Sequence, residues 1–461
     1  MSGNSGIGAS GGGRVVVIGG GLAGITAALD CAAAGAEVTL VEVRPRLGGA
    51  AYSFERDGLW LDNGQHVFLR CCEAYRRLLE RLGTSAAVTL QRRLEIPVLT
   101  PGGRPAWLRR NALPAPLHLA ASLLRYRHLA PRERISAARA ALSLGRVGPD
   151  DPGAEQRTFG EWLAEHGQTP RAVEALWELI GRPTLNLRCD DASLALAAFV
   201  FRVGLLERAD AGDIGYAHAP LQRVHGDAAL RSLRGSGVDV RTGWRAERIE
   251  VAGTAGELSV AGRAEALEAR AVVLAVPHER AGGLLPEGAL ADPAGLMRLG
   301  RSPIVNLHVI YDRPVLEAEF AAAIDSPVQF VFDRTASSGL ATGQCLAVSL
   351  SAADGEDVAS SEELERRFLP ALAQLLPAAR KARVQRFIVT REHAATFRAA
   401  PGARRLRPEA RTGIPGLALA GAWTDTGWPA TMEGAVRSGH AAAEVALVAL
   451  ERERAIEEAV A

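Results

Sequence analysis

Residues 15–24 read Val-Val-Val-Ile-Gly-Gly-Gly-Leu-Ala-Gly, and a second apolar run, Val38-Thr39-Leu40-Val41, ends at Glu42. The first run predicts a buried strand, the spaced glycines a tight turn, and the alanine-rich residues 22–34 a helix. This order is typical of a βαβ unit that binds a nucleotide. The sequence therefore predicts an α/β fold with a Rossmann-type domain built on a parallel sheet.

Each glycine of the turn has a predicted task. Gly19 lets the chain leave the strand sharply, and Gly21 gives backbone amides room to approach a pyrophosphate. Gly24 lets the helix lie close to the sheet, while the helix N-terminus at Leu22 and Ala23 presents partial positive charge to phosphates. Glu42 can accept hydrogen bonds from both ribose hydroxyls but would repel a 2′-phosphate. FAD or NAD is thus favoured over NADP.

The residues after Glu42 separate FAD from NAD. Residues 42–49 read Glu-Val-Arg-Pro-Arg-Leu-Gly-Gly and resemble the second pyrophosphate-side segment of the FAD-dependent amine oxidase and phytoene desaturase superfamily. The resemblance implies that FAD is the cofactor and that this segment contacts it through Val43, Arg44, Arg46, Gly48 and Gly49. The superfamily commonly has arginine after the paired glycines, where this chain has Ala50, so one pyrophosphate contact is either missing or supplied by Arg44 or Arg46.

The C-terminal run over residues 420–439, Ala-Gly-Ala-Trp-Thr-Asp-Thr-Gly-Trp-Pro-Ala-Thr-Met-Glu-Gly-Ala-Val-Arg-Ser-Gly, resembles the flavin-binding tail of the same superfamily. It implies a buried strand over residues 416–421 that reaches the ribityl chain, and a helix over about residues 431–452 that begins under the flavin ring. Free amides at a helix N-terminus would stabilise the negative charge of a reduced flavin. The implied contacts are Gly421, Ala422, Asp425, Thr431, Met432 and Ala435. Since Ala422 stands where many members have an acid, Asp425 either replaces that acid or forms a surface turn.

Residues 61–68, Leu-Asp-Asn-Gly-Gln-His-Val-Phe, fall where the superfamily places a segment beside the isoalloxazine. This implies contacts from Gly64, Gln65 and His66, and the resemblance also places Ala246 among the cofactor-binding residues. Together with residues 423–427 and the Cys71-Cys72 pair, the segment resembles the squalene-associated branch, the hydroxysqualene dehydroxylases, more than the carotenoid desaturases or amine oxidases.

That resemblance implies reductive removal of an allylic hydroxyl from hydroxysqualene, a long isoprenoid, to give squalene, a hopanoid precursor. Hydride would come from reduced FAD, and because hydroxide leaves poorly, a nearby acid should protonate it. The candidate acids are His66 and Asp62, although Asp62 could instead tie down its own loop and His66 could bond to backbone. His308, which alternates with Asn306, either faces the substrate or is a core histidine. No metal or nucleophile is required, because the flavin performs the redox step.

Two alternatives remain open at this point. A polyene desaturase of the same superfamily would remove hydrogen instead of hydroxyl. A prenyl carrier like the GDP-dissociation inhibitors would share the fold without catalysis, although the intact glycine turn and Glu42 argue against it. An amine oxidase is disfavoured, since only 5% of the residues are aromatic and could form a substrate cage.

The length of 461 residues predicts two domains. The FAD-binding domain should be discontinuous, formed by residues 14–95, 225–301 and 401–461. A substrate-binding domain of mixed sheet plus helices should combine helix-rich residues 96–224 with strand-rich residues 302–400. Residues 1–13 are rich in Ser and Gly and predict a flexible leader rather than a secretory signal.

Charge is concentrated in one segment. Residues 107–146 carry eight arginines and one acid, a local charge of +7, whereas the whole chain carries +1. Leucines interleave with these arginines, a pattern that suits either membrane-facing helices where an isoprenoid enters or a solvated helix face. No nucleic-acid motif accompanies the charge. Five cysteines without metal-like spacing and no spanning segment predict a cytoplasmic protein, peripherally bound to the membrane if the basic segment contacts lipid; the oligomeric state stays open.

Overall fold

The computed structural model describes residues 13–148, 151–252 and 257–460, so the expected leader lies outside the described residues except for Gly13. The strands are β1 (Arg14–Ile18), β2 (Glu37–Glu42), β3 (Ser53–Arg56), β4 (Leu59–Asp62), β5 (Val67–Leu69), β6 (Val88–Leu90), β7 (Glu95–Leu99), β8 (Ala106–Arg109), β9 (Ile214–Ala217), β10 (Asp239–Thr242), β11 (Ala246–Ala252), β12 (Glu257–Gly262), β13 (Ala266–Ala269), β14 (Ala271–Leu274), β15 (Ser302–Tyr311), β16 (Phe320–Ala323), β17 (Phe330–Asp333), β18 (Gln344–Ser351), β19 (Val384–Thr396) and β20 (Leu417–Leu419).

The α-helices are α1 (Leu22–Ala33), α2 (Glu73–Arg81), α3 (Ala120–Arg125), α4 (Pro131–Leu144), α5 (Pro152–Glu155), α6 (Phe159–Glu165), α7 (Pro170–Ala172), α8 (Glu178–Leu185), α9 (Leu194–Phe201), α10 (Ala228–Gly235), α11 (His278–Ala281), α12 (Gly295–Arg298), α13 (Thr335–Ser338), α14 (Ser361–Leu375), α15 (Ala403–Leu406) and α16 (Met432–Val460). Three π-helical turns adjoin them at Val173–Trp177, Arg202–Leu206 and Gln222–Asp227. Short 3₁₀ turns occupy Ser85–Ala87, Leu117–Leu119 and Pro377–Lys381.

A parallel five-stranded sheet with the order β10-β2-β1-β14-β20 carries the glycine turn. Its central strand β1 is apolar and buried from Val15 to Ile18, as expected for a strand that is covered on both faces. Helices α1 and α16 pack together on one face, and a Cβ on Gly439 would lie 2.4 Å from the carbonyl oxygen of Ala23. This close packing brings the C-terminal helix beside the glycine turn, although more than 400 residues separate them in sequence.

A mixed seven-stranded sheet has the order β19-β15-β18-β17-β16-β7-β8. One face packs on α14 through alternating apolar residues such as Leu307 and Val348. The opposite face, which we call the inner face, carries the residues between them because side chains alternate along strands. The inner face is lined by Asn306, His308, Phe330, Phe332, Ala347 and Ser349.

A small antiparallel sheet, β5-β9-β6, links the two larger ones. Strands β5 and β6 precede the domain boundary expected at residue 95, whereas β9 follows it, so the two sides of that boundary share one sheet. The basic segment begins with strand β8 rather than a helix, and its helical part starts at Leu117. No helix within the described residues is long and apolar enough to cross a membrane.

Candidate functional site

The glycine turn is built as its sequence predicts. Gly19 adopts a φ of +112°, and its amide donates to the carbonyl of Val41 at 2.8 Å. A Cβ on Gly24 would lie 1.9 Å from the oxygen of Gly19, so only glycine lets α1 start this close to the strand. A Cβ on Gly21, in contrast, would meet only the Cα of Gly49, at 3.7 Å. The amides at Gly21, Leu22 and Ala23 open the helix and can receive a pyrophosphate.

Glu42 ends β2 beside this turn and is 92% buried, with 8% of its surface exposed. Its carboxylate accepts hydrogen bonds from the amides of Gly20, at 2.7 Å, and Arg44, at 2.8 Å. Each carboxylate oxygen has a second lone pair, so the oriented carboxylate can also accept ribose hydroxyls. The carbonyl of Glu42 accepts from the amide of Trp244, which places Ala246, the first residue of β11, near the same end of the turn.

The paired glycines dock on the turn. The amide of Gly48 donates to the carbonyl of Gly20 at 2.9 Å, and a Cβ on Gly49 would lie 2.7 Å from the Cα of Gly21. Arg44 and Arg46 each place Nη1 3.4 Å from the carbonyl oxygen of Gly49. Both guanidiniums therefore converge next to Gly21, where they can supply the positive charge that Ala50 lacks.

Eight of the residues that are expected along the cofactor are partly exposed in an otherwise buried neighbourhood. These eight are Gly19, Gly21, Gly49, Gly421, Ala422, Thr431, Met432 and Ala435. All are small or lie at a helix N-terminus, so backbone and short side chains line the path. A dinucleotide fits such a path, because its phosphates and ring need close backbone approach. Val43 differs, since its side chain is largely exposed.

The C-terminal tail is held by an arginine that the sequence did not indicate. Arg407 is buried, and its guanidinium donates to the carbonyls of Ala422, Trp423 and Thr424. Burial lowers the pKa of Arg407 to about 10, so it stays charged at neutral pH. The amide of Gly421 donates to Ser438 Oγ at 2.8 Å, which joins the strand end to α16.

Asp425 takes the surface-turn role, one of the two alternatives left open by the sequence. Its Oδ1 accepts the amide of Gly427 at 3.2 Å, and its own amide donates to the carbonyl of Pro408 at 2.8 Å. Its other oxygen lies 3.7 Å from Nε of Arg404. These contacts tie Asp425 to Gly427 in its own turn and to residues 404–408, so they favour the surface-turn alternative over the ribityl contact.

Residues 62–66 lie between the two larger sheets. Asn63 Nδ2 donates to the carbonyl of Ala50 and to Glu392 Oε1, both at 2.8 Å. Asn306 on the inner face accepts the amide of Gln65 at 3.2 Å and stands 3.2 Å from the position of a Cβ on Gly64. Nε2 of Gln65 is buried and has no acceptor among the described residues. A flavin carbonyl or ring nitrogen would satisfy this amide group.

Asp62 is not placed to act as the acid. Its Oδ1 accepts from Ser53 Oγ at 2.6 Å and from the amide of Leu221 at 3.1 Å, and its Oδ2 lies 2.6 Å from Nη2 of Arg334. Both partners of the ion pair are buried, with 6% and 8% of their side chains exposed. A carboxylate that is engaged by donors on both oxygens is an acceptor only. These contacts disfavour Asp62 as the acid and favour its alternative role of tying down the local structure.

His66 is also poorly suited to donate a proton. Its Nδ1 lies 3.0 Å from the carbonyl of Gly64, and because a carbonyl only accepts, Nδ1 carries the hydrogen. Burial lowers the pKa of His66 below its usual range, so the ring is neutral and Nε2 has a lone pair. On the inner face, burial lowers the pKa of His308 to about 4, and neither of its nitrogens has a partner in the described chain. Each ring is therefore neutral at pH 7, with one acceptor nitrogen and one N–H, and neither carries the positive charge that makes an imidazolium a good acid.

Apolar residues, some of them partly exposed, meet between the inner face and the small sheet, in what we call the apolar region. Val67 in β5 is 41% exposed although its strand lies inside the fold, and Ser349 is partly exposed on β18, the third strand of the seven-stranded sheet. Beside Ser349 stands the small residue Ala347, and beyond it a row of aromatic rings. Their centroids are 5.6 Å apart for Phe320 and Phe332, 6.2 Å for Phe330 and Phe332, and 5.9 Å for Phe320 and Tyr216. This arrangement suits an apolar substrate.

The parallel sheet, its glycine turn and the C-terminal tail define a nucleotide-binding α/β protein that carries a second, mixed sheet. The sequence model for flavin-containing amine oxidoreductases matches residues 22–447. The chain belongs to that family and is a flavin-dependent oxidoreductase, which confirms the resemblance seen in residues 42–49 and 420–439. The matched range begins within the turn, at Leu22, and includes residues 42–49 and the whole tail.

Known relatives cover nearly the whole chain. A hydroxysqualene dehydroxylase from Rhodopseudomonas palustris is 29% identical over 445 residues, which are 94% of this chain and 98% of the relative. A zeta-carotene desaturase from Synechocystis is 25% identical and covers 94% and 97%. Among solved structures, an oxidoreductase from Methanosarcina mazei superposes with a TM-score of 0.72 at 18% identity over 94% of this chain and all of that one. That structure establishes the shared fold.

Proposed function

We propose that this protein uses FAD to dehydroxylate hydroxysqualene reductively to squalene. The observation that carries the proposal is the apolar region next to residues 62–66, whose aromatic rings and exposed Val67 suit a long hydrocarbon with one polar group. The relative from Rhodopseudomonas palustris supports this substrate more strongly than the desaturase from Synechocystis, because its identity is higher. When bound, reduced FAD supplies a hydride to the allylic carbon, while the C–O bond breaks and a proton converts the departing hydroxide to water.

FAD is preferred to other flavins because two distant parts of one path suit its two halves. Gly21, Glu42 and the paired arginines suit the ADP half. The helix N-terminus at Met432 suits the flavin half, and so does the side-chain Nε2 of Gln65, which has no acceptor among the described residues. These residues would bind and orient the cofactor, and the positive helix end would favour its anionic reduced form.

The test is anaerobic incubation of the FAD-loaded, dithionite-reduced protein with hydroxysqualene, followed by mass spectrometry of the lipids. Squalene in amounts stoichiometric with reduced flavin is expected. The variant Gly21→Val, which fills the pyrophosphate side, should form none, whereas Gly235→Ala, whose Cβ meets no atom within 4 Å, should match wild type. Recovery of unchanged alcohol from the flavin-loaded wild type would overturn the proposal, and a product with an added double bond would favour the desaturase alternative.

We also propose that the basic segment, residues 107–146, brings the substrate from an anionic membrane. Six of the eleven large apolar residues that are exposed in the described chain lie here, namely Trp107, Leu113, Leu117, Leu124, Ile135 and Leu142. On α4 they alternate with exposed arginines at helical spacing, in the order Arg132, Ile135, Arg139 and Leu142, and the exposed Arg146 follows just after the helix. Two other arginines of the segment are engaged elsewhere, Arg109 with Glu95 and Arg110 with Asp213.

Anionic lipid is the occupant that this surface suits, because its apolar residues can enter the acyl region while arginines reach headgroup phosphates. A groove of about 250 Å³ opens beside it, lined in part by Pro116, Leu142 and Leu206. The neighbouring Leu119 and Leu123 pack on the same cluster as Tyr216 and Phe332, so apolar contacts lead from the surface towards the interior.

Vesicle flotation tests this surface. Wild type should float with vesicles of phosphatidylcholine and phosphatidylserine, less so at high salt. Leu124→Glu should reduce flotation several-fold, whereas Val358→Glu, at a residue that is 80% exposed outside the segment, should not. Equal flotation of both variants, or none by wild type, would contradict the assignment.

A further inference from the structure

Tyr216 carries a buried hydroxyl that has no hydrogen-bond partner among the described residues. The residue is 8% exposed and lies in β9. Its ring packs in the apolar cluster that includes Phe320 and Phe332. Burying a hydroxyl without a partner is unfavourable, so such a group calls for a bound water or a ligand.

The position of Tyr216 connects it to the flavin-side segment. Strand β9 pairs with β5 so that Tyr216 stands opposite Val67, the residue after His66. Directly opposed residues in an antiparallel pair project from the same face. Tyr216 and the exposed Val67 therefore lie on the same side of the small sheet, next to the apolar region. The next residue, Ala217, accepts a hydrogen bond from Arg334, which fixes the end of the strand.

A second tyrosine of the same cluster provides the comparison. Tyr126 is fully buried, and its hydroxyl donates to the carbonyl of Ala175 at 2.7 Å. The fold therefore satisfies one buried phenol and leaves the other unsatisfied within a single cluster. The difference marks Tyr216 as the phenol that is kept for a group outside the chain.

The proton donor is otherwise lacking at this site. Asp62 is held as an acceptor by Ser53, Leu221 and Arg334. His66 has its hydrogen on the nitrogen that faces Gly64, and His308 is neutral, so its single N–H is a much weaker acid than an imidazolium. A phenol is more acidic than the N–H of a neutral imidazole and can donate its hydrogen.

We propose that the Tyr216 hydroxyl binds the hydroxyl oxygen of the substrate and protonates it as the C–O bond breaks. This inference rests on the proposed dehydroxylation. The allylic carbon gains hydride from the reduced flavin, the C–O electron pair leaves with oxygen, and the proton of Tyr216 turns the leaving group into water. Solvent then returns a proton to the tyrosinate.

The experiment compares Tyr216→Phe with Tyr126→Phe in the oxidised, FAD-loaded protein, where no turnover occurs. Hydroxysqualene and squalene are titrated separately, and binding is followed by the perturbation of flavin absorbance. Tyr216→Phe should weaken binding of the alcohol about tenfold, because a single hydrogen bond is lost, and should leave the affinity for the hydrocarbon unchanged. Its thermal midpoint should not fall, since no partner is abandoned. Tyr126→Phe should lower the midpoint but keep the ratio of the two affinities.

Turnover gives the second measurement. With reduced flavin, Tyr216→Phe should lower kcat by about 10²-fold or more, the usual effect of losing a general acid. An unchanged ratio of alcohol to hydrocarbon affinity in Tyr216→Phe would overturn the assignment. If wild type forms no squalene, the proposed function fails, yet a preference for the alcohol that Tyr216→Phe abolishes would still support the hydroxyl contact.

Discussion

The ion pair between Asp62 and Arg334 separates a structural role from a catalytic one. Its atoms are 2.6 Å apart, and both side chains are more than nine-tenths buried. In Asp62→Asn, the amide oxygen can still accept from Ser53 or Leu221, but Arg334 keeps a buried charge without its counter-ion. Breaking a buried pair on one side costs about 3 to 5 kcal/mol. We expect the free energy of unfolding to fall by about 3 kcal/mol, the lower end of this range, because Arg334 retains the carbonyl of Ala217 as an acceptor.

The double variant Asp62→Asn/Arg334→Met checks the origin of that loss. Removing both charges leaves no isolated ion, so the double variant should be destabilised by less than the sum of the two single changes. Thermal and urea unfolding, followed by circular dichroism at equal flavin loading, give the comparison. If Asp62→Asn unfolds together with wild type but loses turnover, then Asp62 acts in the chemistry and the reasoning from its contacts is refuted.

Three further predictions concern the cofactor and pH. In Gly24→Val, the added Cβ would lie 1.9 Å from the oxygen of Gly19, so purified protein should lose its flavin absorbance; soluble variant protein with full flavin content would contradict this. Arg407→Met should weaken FAD binding about tenfold or more by freeing the carbonyls of residues 422–424, while the exposed Arg405→Met should not, as measured by flavin fluorescence titration. Burial lowers the pKa of His225 and of His308 from 6.5 to about 4, so unfolding should take up protons. Stability from these groups is then complete above about pH 7 and declines as pH falls from 6.5 towards 4, by about 3 kcal/mol for each histidine. The free energy of unfolding, measured at pH 7 and pH 5, should show this decline. The decline should be smaller in His308→Gln and the same as in wild type in His218→Gln, whose side chain is exposed.

The cofactor-binding part was predictable because its requirements are local. Gly19 and Gly24 are needed by the backbone within one turn, and Glu42 follows from the strand that lies beside β1. The segments at residues 42–49 and 420–439 were recognisable because adjacent residues present amides and small side chains to one ligand. Such patterns survive in the linear sequence, since neighbours in the chain remain neighbours in the fold.

The chemistry of the substrate site depended on contacts between distant residues. Asp62 and Arg334 are 272 positions apart in the sequence. Tyr216 becomes notable only because its buried hydroxyl has no hydrogen-bond partner among the described residues. Arg407 looks like any surface arginine until its carbonyl acceptors are known. The sequence by itself thus determined the parallel sheet, the glycine turn and the class of cofactor. Only the tertiary structure decided which side chains are buried, which of them pair with one another, and which apolar residues stay exposed, because burial and partner choice are properties of the packed fold.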